Sequence, residues 1–158
     1  MALPILTYPH NLLSTPCFEV KIFDNKLIDL VNNMILTMRK CEGIGIAAPQ
    51  IGYNLRIFIA QDRIFINPKI NVIDDTIISS IEGCLSIPEI FEKVQRAQVI
   101  SVTYQDQSGI SHQLEAKDDE AICIQHEYDH LNGILFLDRL SDFKRRYIKK
   151  KIAKSHKL

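Results

Sequence analysis

Leu27, Leu30, Val31, Met34, Ile35 and Met38 recur at helical spacing, which predicts a helix from Asn25 that packs by this face and stops at Gly43 and Gly45. The texture then changes. Apolar runs at residues 55–60, 63–66, 71–79 and 94–104, separated by turn-forming residues, predict strands. Asp106-Gln107-Ser108-Gly109 reads as the turn of a hairpin joining residues 99–104 to 110–114. A second helix is expected to open with Asp118 and Asp119 as N-cap and first-turn residues. It carries Ile122, Cys123, His126 and His130 on its inward face and ends near Asn132-Gly133. A third starts near Ser141. There Phe143, Tyr147, Ile148 and Ile152 form an apolar stripe, and Lys144, Arg145, Arg146, Lys149, Lys150, Lys151 and Lys154 cover the remainder. Pro4, Pro9 and Pro16 make the first two dozen residues an irregular arm with one helical turn.

The expected fold is α+β: mixed, mainly antiparallel sheets packed around the helix that bears His126 and His130, with a C-terminal helix. With 158 residues the chain can bury a self-sufficient core, so one domain over residues 1–158 is expected.

Composition narrows the partners. The 19 basic and 19 acidic residues cancel, so the chain lacks the overall positive charge of a DNA-binding protein. Cys17, Cys41, Cys84 and Cys123 are widely spread, with no CxxC pair and no disulfide-scaffold density. Met1-Ala2-Leu3-Pro4 has no basic segment of the kind that opens a secretory signal, and the apolar runs are too short to span a bilayer. A cytoplasmic protein with no membrane partner is the expectation.

The chemistry centres on His126-Glu127-Tyr128-Asp129-His130. Histidines four apart on a helix project from one face and can reach one ion, while the adjacent Glu127 is suited to take a proton from a metal-bound water. The bland alternative is a helix with two surface histidines. A catalytic site of this kind needs a third protein ligand. No Glu follows Glu127, and Phe136 stands where a metzincin would have its third histidine. His10, His112 and His156 lack a partner at ligand spacing and are read as surface residues. Cys84, directly after Gly83 in a β-type segment, is the third ligand expected, and Cys123 is expected to line the site wall.

Gly43-Ile44-Gly45-Ile46-Ala47-Ala48-Pro49-Gln50, Glu82-Gly83-Cys84-Leu85-Ser86 and Gln125-His126-Glu127-Tyr128-Asp129-His130 stand in that order. With these three motifs the chain resembles the peptide deformylases, which carry GxGxAAxQ, EGCxS and QHExDH; the likeness runs from Leu3-Pro4-Ile5-Leu6 to the C-terminal helix and is greatest to the bacterial type. The resemblance implies a metal-dependent hydrolase that removes the formyl group from the formyl-methionine of nascent polypeptides and releases formate, with metal-bound hydroxide attacking the formamide carbon. It implies Cys84, His126 and His130 as metal ligands and Glu127 as base and then acid. Gln50, by its amide, and Leu85, by its N–H, would hold the oxyanion. Gly43, Ile44, Gly45, Ile46, Ile122 and Cys123 would bind the peptide, and Glu82 with Arg96 would form a supporting ion pair. It further implies Fe2+ in the cell, with Zn2+, Ni2+ or Co2+ able to replace it, and ribosome docking through the basic C-terminal helix. A Cys/His2 set alone suits zinc equally well. Two rivals remain: a metallopeptidase using the same helix, and a silent metal-binding module that keeps the fold.

The chain departs from the bacterial pattern at Asp118-Asp119-Glu120, where a glycine and apolar residues are usual, at Phe91 in place of a common Arg, and at Gln95 in place of a frequent proline. The segment around Asp62-Arg63 is also shorter than usual. Acidic groups are therefore expected at the rim of the side-chain pocket.

Overall fold

The computed structural model describes residues 1–156; Lys157 and Leu158, the end of the single domain expected over 1–158, lie outside the described residues. After a 3-10 turn at Asn11–Ser14, the order is α1 (Asn25–Lys40), β1 (Gly45–Ala47), β2 (Ile57–Ala60), β3 (Arg63–Val72), β4 (Ile77–Cys84), β5 (Ile87–Ala97), β6 (Val99–Gln105), β7 (Ser111–Lys117), α2 (Asp118–Leu131) and α3 (Asp142–Ser155). A five-stranded antiparallel sheet has the order β1-β2-β3-β6-β7, and β4 and β5 form a separate antiparallel pair.

Strand periodicity explains how this sheet carries a helix on each face. On β2 and β3, Ile57, Ile59 and Ile66 point to one side and join Leu30, Val31 and Met34 of α1. Phe58, Ala60 and Phe65 point to the other side and join Ala121, Ile124 and Leu131 of α2. A third cluster, containing Leu13, Ile87, Val94, Phe136 and Ile148, ties the β4–β5 pair to the arm and to α3.

Several expectations are revised. The runs at 63–66 and 71–79 are not two strands with a break at Asn67-Pro68. Asn67, at φ 51°, forms a bulge that β3 absorbs, and its side chain bonds both the N–H and the C=O of Val20. The real interruption comes after Val72, where the Asp74 carboxylate accepts from the Thr76 N–H. Likewise 94–104 divides at Gln98, whose N–H turns back to Thr76. The N-cap of α2 is Lys117, without a side-chain bond, because Asp118 is engaged with the preceding turn through Gln98. Asp118, Asp119 and Glu120 nevertheless fill the first turn, where their charge suits the helix dipole.

On α3 the expected stripe is narrower than its sequence pattern. Ile148 is buried and Ile152 packs beside it, but Phe143 and Tyr147 are 81% and 63% exposed. The helix meets the body along a single i, i+4 line, too narrow to cover its remaining apolar residues. Among the described residues, no helix is long and apolar enough to cross a membrane.

Candidate metal centre

Three separately built pieces converge. From α2 come His126 and His130, one turn apart, with ring centroids separated by 5.3 Å. From the end of β4 comes Cys84, re-aimed by a register shift between Gly83 and Cys84. A third piece, the β1 edge and the 3-10 turn Ala48–Ile51, supplies Gly45 and Gln50.

One donor atom from each of Cys84, His126 and His130 lies within 4.8 Å of the other two. The Cys84 Sγ is 3.4 Å from the His130 Nε2. A tetrahedral ion with bonds of about 2.3 Å to sulfur and about 2.0–2.1 Å to nitrogen would hold these atoms about 3.6 Å apart, so the donor set fits a shared metal. The His126 Nδ1 bonds the Glu82 Oε1 at 2.8 Å, which leaves its Nε2 for the ion, the usual carboxylate–histidine arrangement.

Charge favours a cation here. Burial alone would push the His126 imidazole down, but the Cys84 sulfur and the Glu82 and Glu127 carboxylates outweigh it and raise its pKa to about 10. Burial, with His126 and Arg96 nearby, pushes His130 well below the ordinary range, which keeps a lone pair free for ligation. Burial also opposes the charge on Glu82, yet Arg96 and His126 hold it down at about 2.

Glu127 is 4% exposed, and its Oε2 has no hydrogen-bond partner among the described residues. Its Oε1 lies 3.9 Å from the His126 Nε2. Burial raises its pKa to about 7, against the pull of His126. Such a carboxyl exchanges protons near neutrality.

The Gln50 amide is fixed in orientation. Its Oε1 accepts from the Ala47 N–H at 2.9 Å, and its Nε2 donates to the Ser86 Oγ at 3.1 Å and faces the Cys84 sulfur at 3.6 Å. The site opens into a cleft of about 690 Å³, lined by Gly43, Ile44, Gly45, Gln50, Glu82, Cys84, Leu85, Ile122, Cys123, His126 and Glu127. His130 and Arg96 lie behind this wall. The Ile46 side chain is wholly buried on the α1 side of the sheet, and Ile46, expected to bind the peptide, does not line the cleft. His10, His112 and His156 lie away from the ligand cluster, as the missing spacing implied.

Sequence reasoning missed three contributors. Ser86, Gln125 and Asp129 lie inside the motifs but served there only as pattern. Gln125 anchors α2 by bonding both the N–H and the C=O of Ala97. Asp129 accepts from Arg96 and Arg139, a pairing between distant segments that no periodicity signals.

The model of the family described as polypeptide deformylase matches residues 2–146. A peptide deformylase of Chromobacterium violaceum is 43% identical, over 98% of this chain and 96% of that protein. Peptide deformylase 1 of Pseudomonas syringae pv. tomato is also 43% identical, over 99% of this chain and 97% of its own length. Among solved structures, peptide deformylase from Ehrlichia chaffeensis in complex with actinonin superposes with a TM-score of 0.93 at 36% identity, covering 99% of each chain. Plasmodium falciparum peptide deformylase in complex with an inhibitor gives a TM-score of 0.90 at 37% identity, over 95% of this chain and 97% of the other.

Proposed function

This chain belongs to the polypeptide deformylase family, and we propose that its metal-dependent removal of the N-formyl group from nascent peptides takes place in the cleft before Cys84, His126 and His130. The observation that carries this assignment is the three donor atoms within 4.8 Å of one another, beside a buried Glu127 oxygen that has no hydrogen-bond partner among the described residues.

Fe2+ is the ion we assign in the cell, with Zn2+, Ni2+ or Co2+ able to take its place. When bound, it supplies a Lewis acid that lowers the pKa of water and polarises the formyl oxygen. Glu127 takes the proton at its unpartnered Oε2 and returns it to the leaving amine; a pKa near 7 suits both transfers. The Gln50 amide, already oriented by Ala47 and Ser86, and the Leu85 N–H hold the oxygen as negative charge develops. The β1 edge left unpaired by the five-stranded sheet accepts the peptide backbone as an added strand. Ile44, Ile122 and Cys123 hold the methionine side chain.

Beyond the methionine, the cleft lining includes the exposed carboxylates Glu42, Glu89 and Asp119 and no Lys or Arg among the described residues. This rim favours neutral or cationic residues after formyl-Met. Residues 1–158 act as one catalytic domain in the cytoplasm, where formylated nascent chains emerge. The basic side chains of α3, flanked by the exposed Phe143 and Tyr147, support docking on the ribosome.

Anaerobically purified protein should release formate from formyl-Met-Ala-Ser and contain one metal ion per chain. Cleavage of the Met–Ala bond instead would mean a peptidase, and metal-loaded protein without either product would mean a silent module. Truncation after Asp142 should reduce ribosome co-sedimentation; unchanged co-sedimentation would refute docking through α3.

A further inference from the structure

Behind the candidate ligands, charged groups run in one connected line from the site to the surface. The His126 Nδ1 bonds the Glu82 Oε1 at 2.8 Å. The Arg96 guanidinium grips both Glu82 oxygens, Nε to Oε2 and Nη2 to Oε1, each at 2.8 Å. Its remaining Nη1 donates to the Asp129 Oδ2 at 2.6 Å. Arg139 then closes on Asp129 from the far side with Nε to Oδ2 at 3.0 Å and Nη2 to Oδ1 at 2.7 Å. Glu82, Arg96 and Asp129 are all buried, whereas the Arg139 side chain is 46% exposed.

Charge counting makes Arg139 more than a surface pair. Without it, two buried carboxylates share one guanidinium, and burial makes that imbalance costly. Arg96 would have to compensate Asp129 by itself while still gripping Glu82, which His126 also partners. Any movement of Arg96 toward Asp129 loosens Glu82, and Glu82 is what orients the His126 ring. Asp129 also lies on α2 between His126 and His130, so its own anchoring bears on both. A half-exposed salt bridge is ordinarily worth little, but a bidentate bond to a buried carboxylate belongs to the stronger class.

We propose that Arg139 is a positioning residue for the metal site, holding Asp129 so that Arg96 and Glu82 fix the orientation of His126. This rests on the reading that Cys84, His126 and His130 hold the metal, and it deepens that reading by extending the site to a residue outside the three motifs.

The test uses cobalt-loaded full-length protein and follows the rate at which excess EDTA removes the metal. Arg139→Met should release cobalt on the order of tenfold faster than the parent, the low end of what losing a direct partner of a ligating histidine causes, because Arg139 acts through Asp129, Arg96 and Glu82. Arg139→Lys, which keeps the charge but not the two-pronged bond, should fall between them. Val31→Ala, a destabilising change in the α1 cluster, which contains neither the candidate ligands nor any member of the Glu82–Arg96–Asp129–Arg139 line, should leave the rate within about twofold, a change worth only about 0.4 kcal/mol. The proposal is overturned if Arg139→Met stays within that same range, or if Val31→Ala accelerates release as much at an equal denaturation midpoint. Should Arg139→Met fail to fold, Arg139→Lys decides: several-fold faster release supports the role and an unchanged rate refutes it. His126→Ala separates the two readings. If it binds cobalt as tightly as the parent, the ligand assignment itself fails; if it loses cobalt while Arg139→Met does not, only the role of Arg139 fails.

Discussion

The Glu127 carboxylate rests against the bare Cα of Gly45: a Cβ placed there would stand 2.9 Å from Oε1 and 3.0 Å from Cδ. The neighbour is the end of a side chain, so Gly45→Ala would displace the carboxylate rather than the sheet. We expect kcat to fall on the order of a hundredfold while metal content stays at the parental level, because a misplacement of about 1 Å is enough to disable a proton-transferring group. Unchanged kcat in this variant would show that the contact does not set the position of Glu127.

Removing the carboxylate altogether separates binding from chemistry. Glu127→Ala retains Cys84, His126 and His130, and should keep its metal while losing turnover by a factor of about 10²–10⁴. Metal analysis and formate release on the same sample check this, and near-normal turnover would contradict the role given to Glu127.

Glu82 makes the metal-free fold acid-sensitive in a defined window. Its carboxyl falls from an ordinary 4.5 to about 2 in the folded chain, where Arg96 and His126 outweigh the cost of burial. A group depressed on folding stabilises the fold fully above its unfolded pKa, and that contribution fades as pH drops from 4.5 toward 2. The contribution is on the order of 3 kcal/mol. Urea midpoints of the metal-free protein should therefore decline between pH 5 and 3 more steeply than those of Glu82→Gln. Parallel curves would rule out Glu82 as the source.

The rim carboxylates predict a substrate ranking. Formyl-Met-Ala-Lys should have a higher kcat/KM than formyl-Met-Ala-Glu, and the ratio should shrink as salt is added, since exposed charges are screened over about 8–10 Å. The double change Glu42→Gln with Glu89→Gln should also narrow it. Equal kcat/KM values at low salt would remove these residues from substrate selection.

The helices were legible because each repeats an apolar face: Leu27 to Met38 predict α1, and the segment leading to His126 predicts α2. Strand boundaries were less so, because Asn67-Pro68 reads locally as a break, whereas Asn67 is held in a bulge by Val20, far away in the chain. The three residues whose donor atoms the structure brings together, Cys84, His126 and His130, were legible through motifs whose spacing suits a shared ion. Arg139 was not. Its partner is a buried carboxylate on another segment, and nothing in the local pattern distinguishes it from a solvated surface arginine. Phe143 and Tyr147 failed in the opposite way, since helical periodicity identifies a face but not whether the body is wide enough to cover it.

The division into two sheets has one more consequence. Cys84 and Glu82 arrive on the two-stranded β4–β5 pair, Gly45 and Gln50 at the β1 edge, and the histidines with Glu127 on α2. Each piece supplies only part of the candidate donor set and its surroundings. The candidate site is therefore complete only when all three have docked, so formate release would report that docking as well as the processing of a substrate.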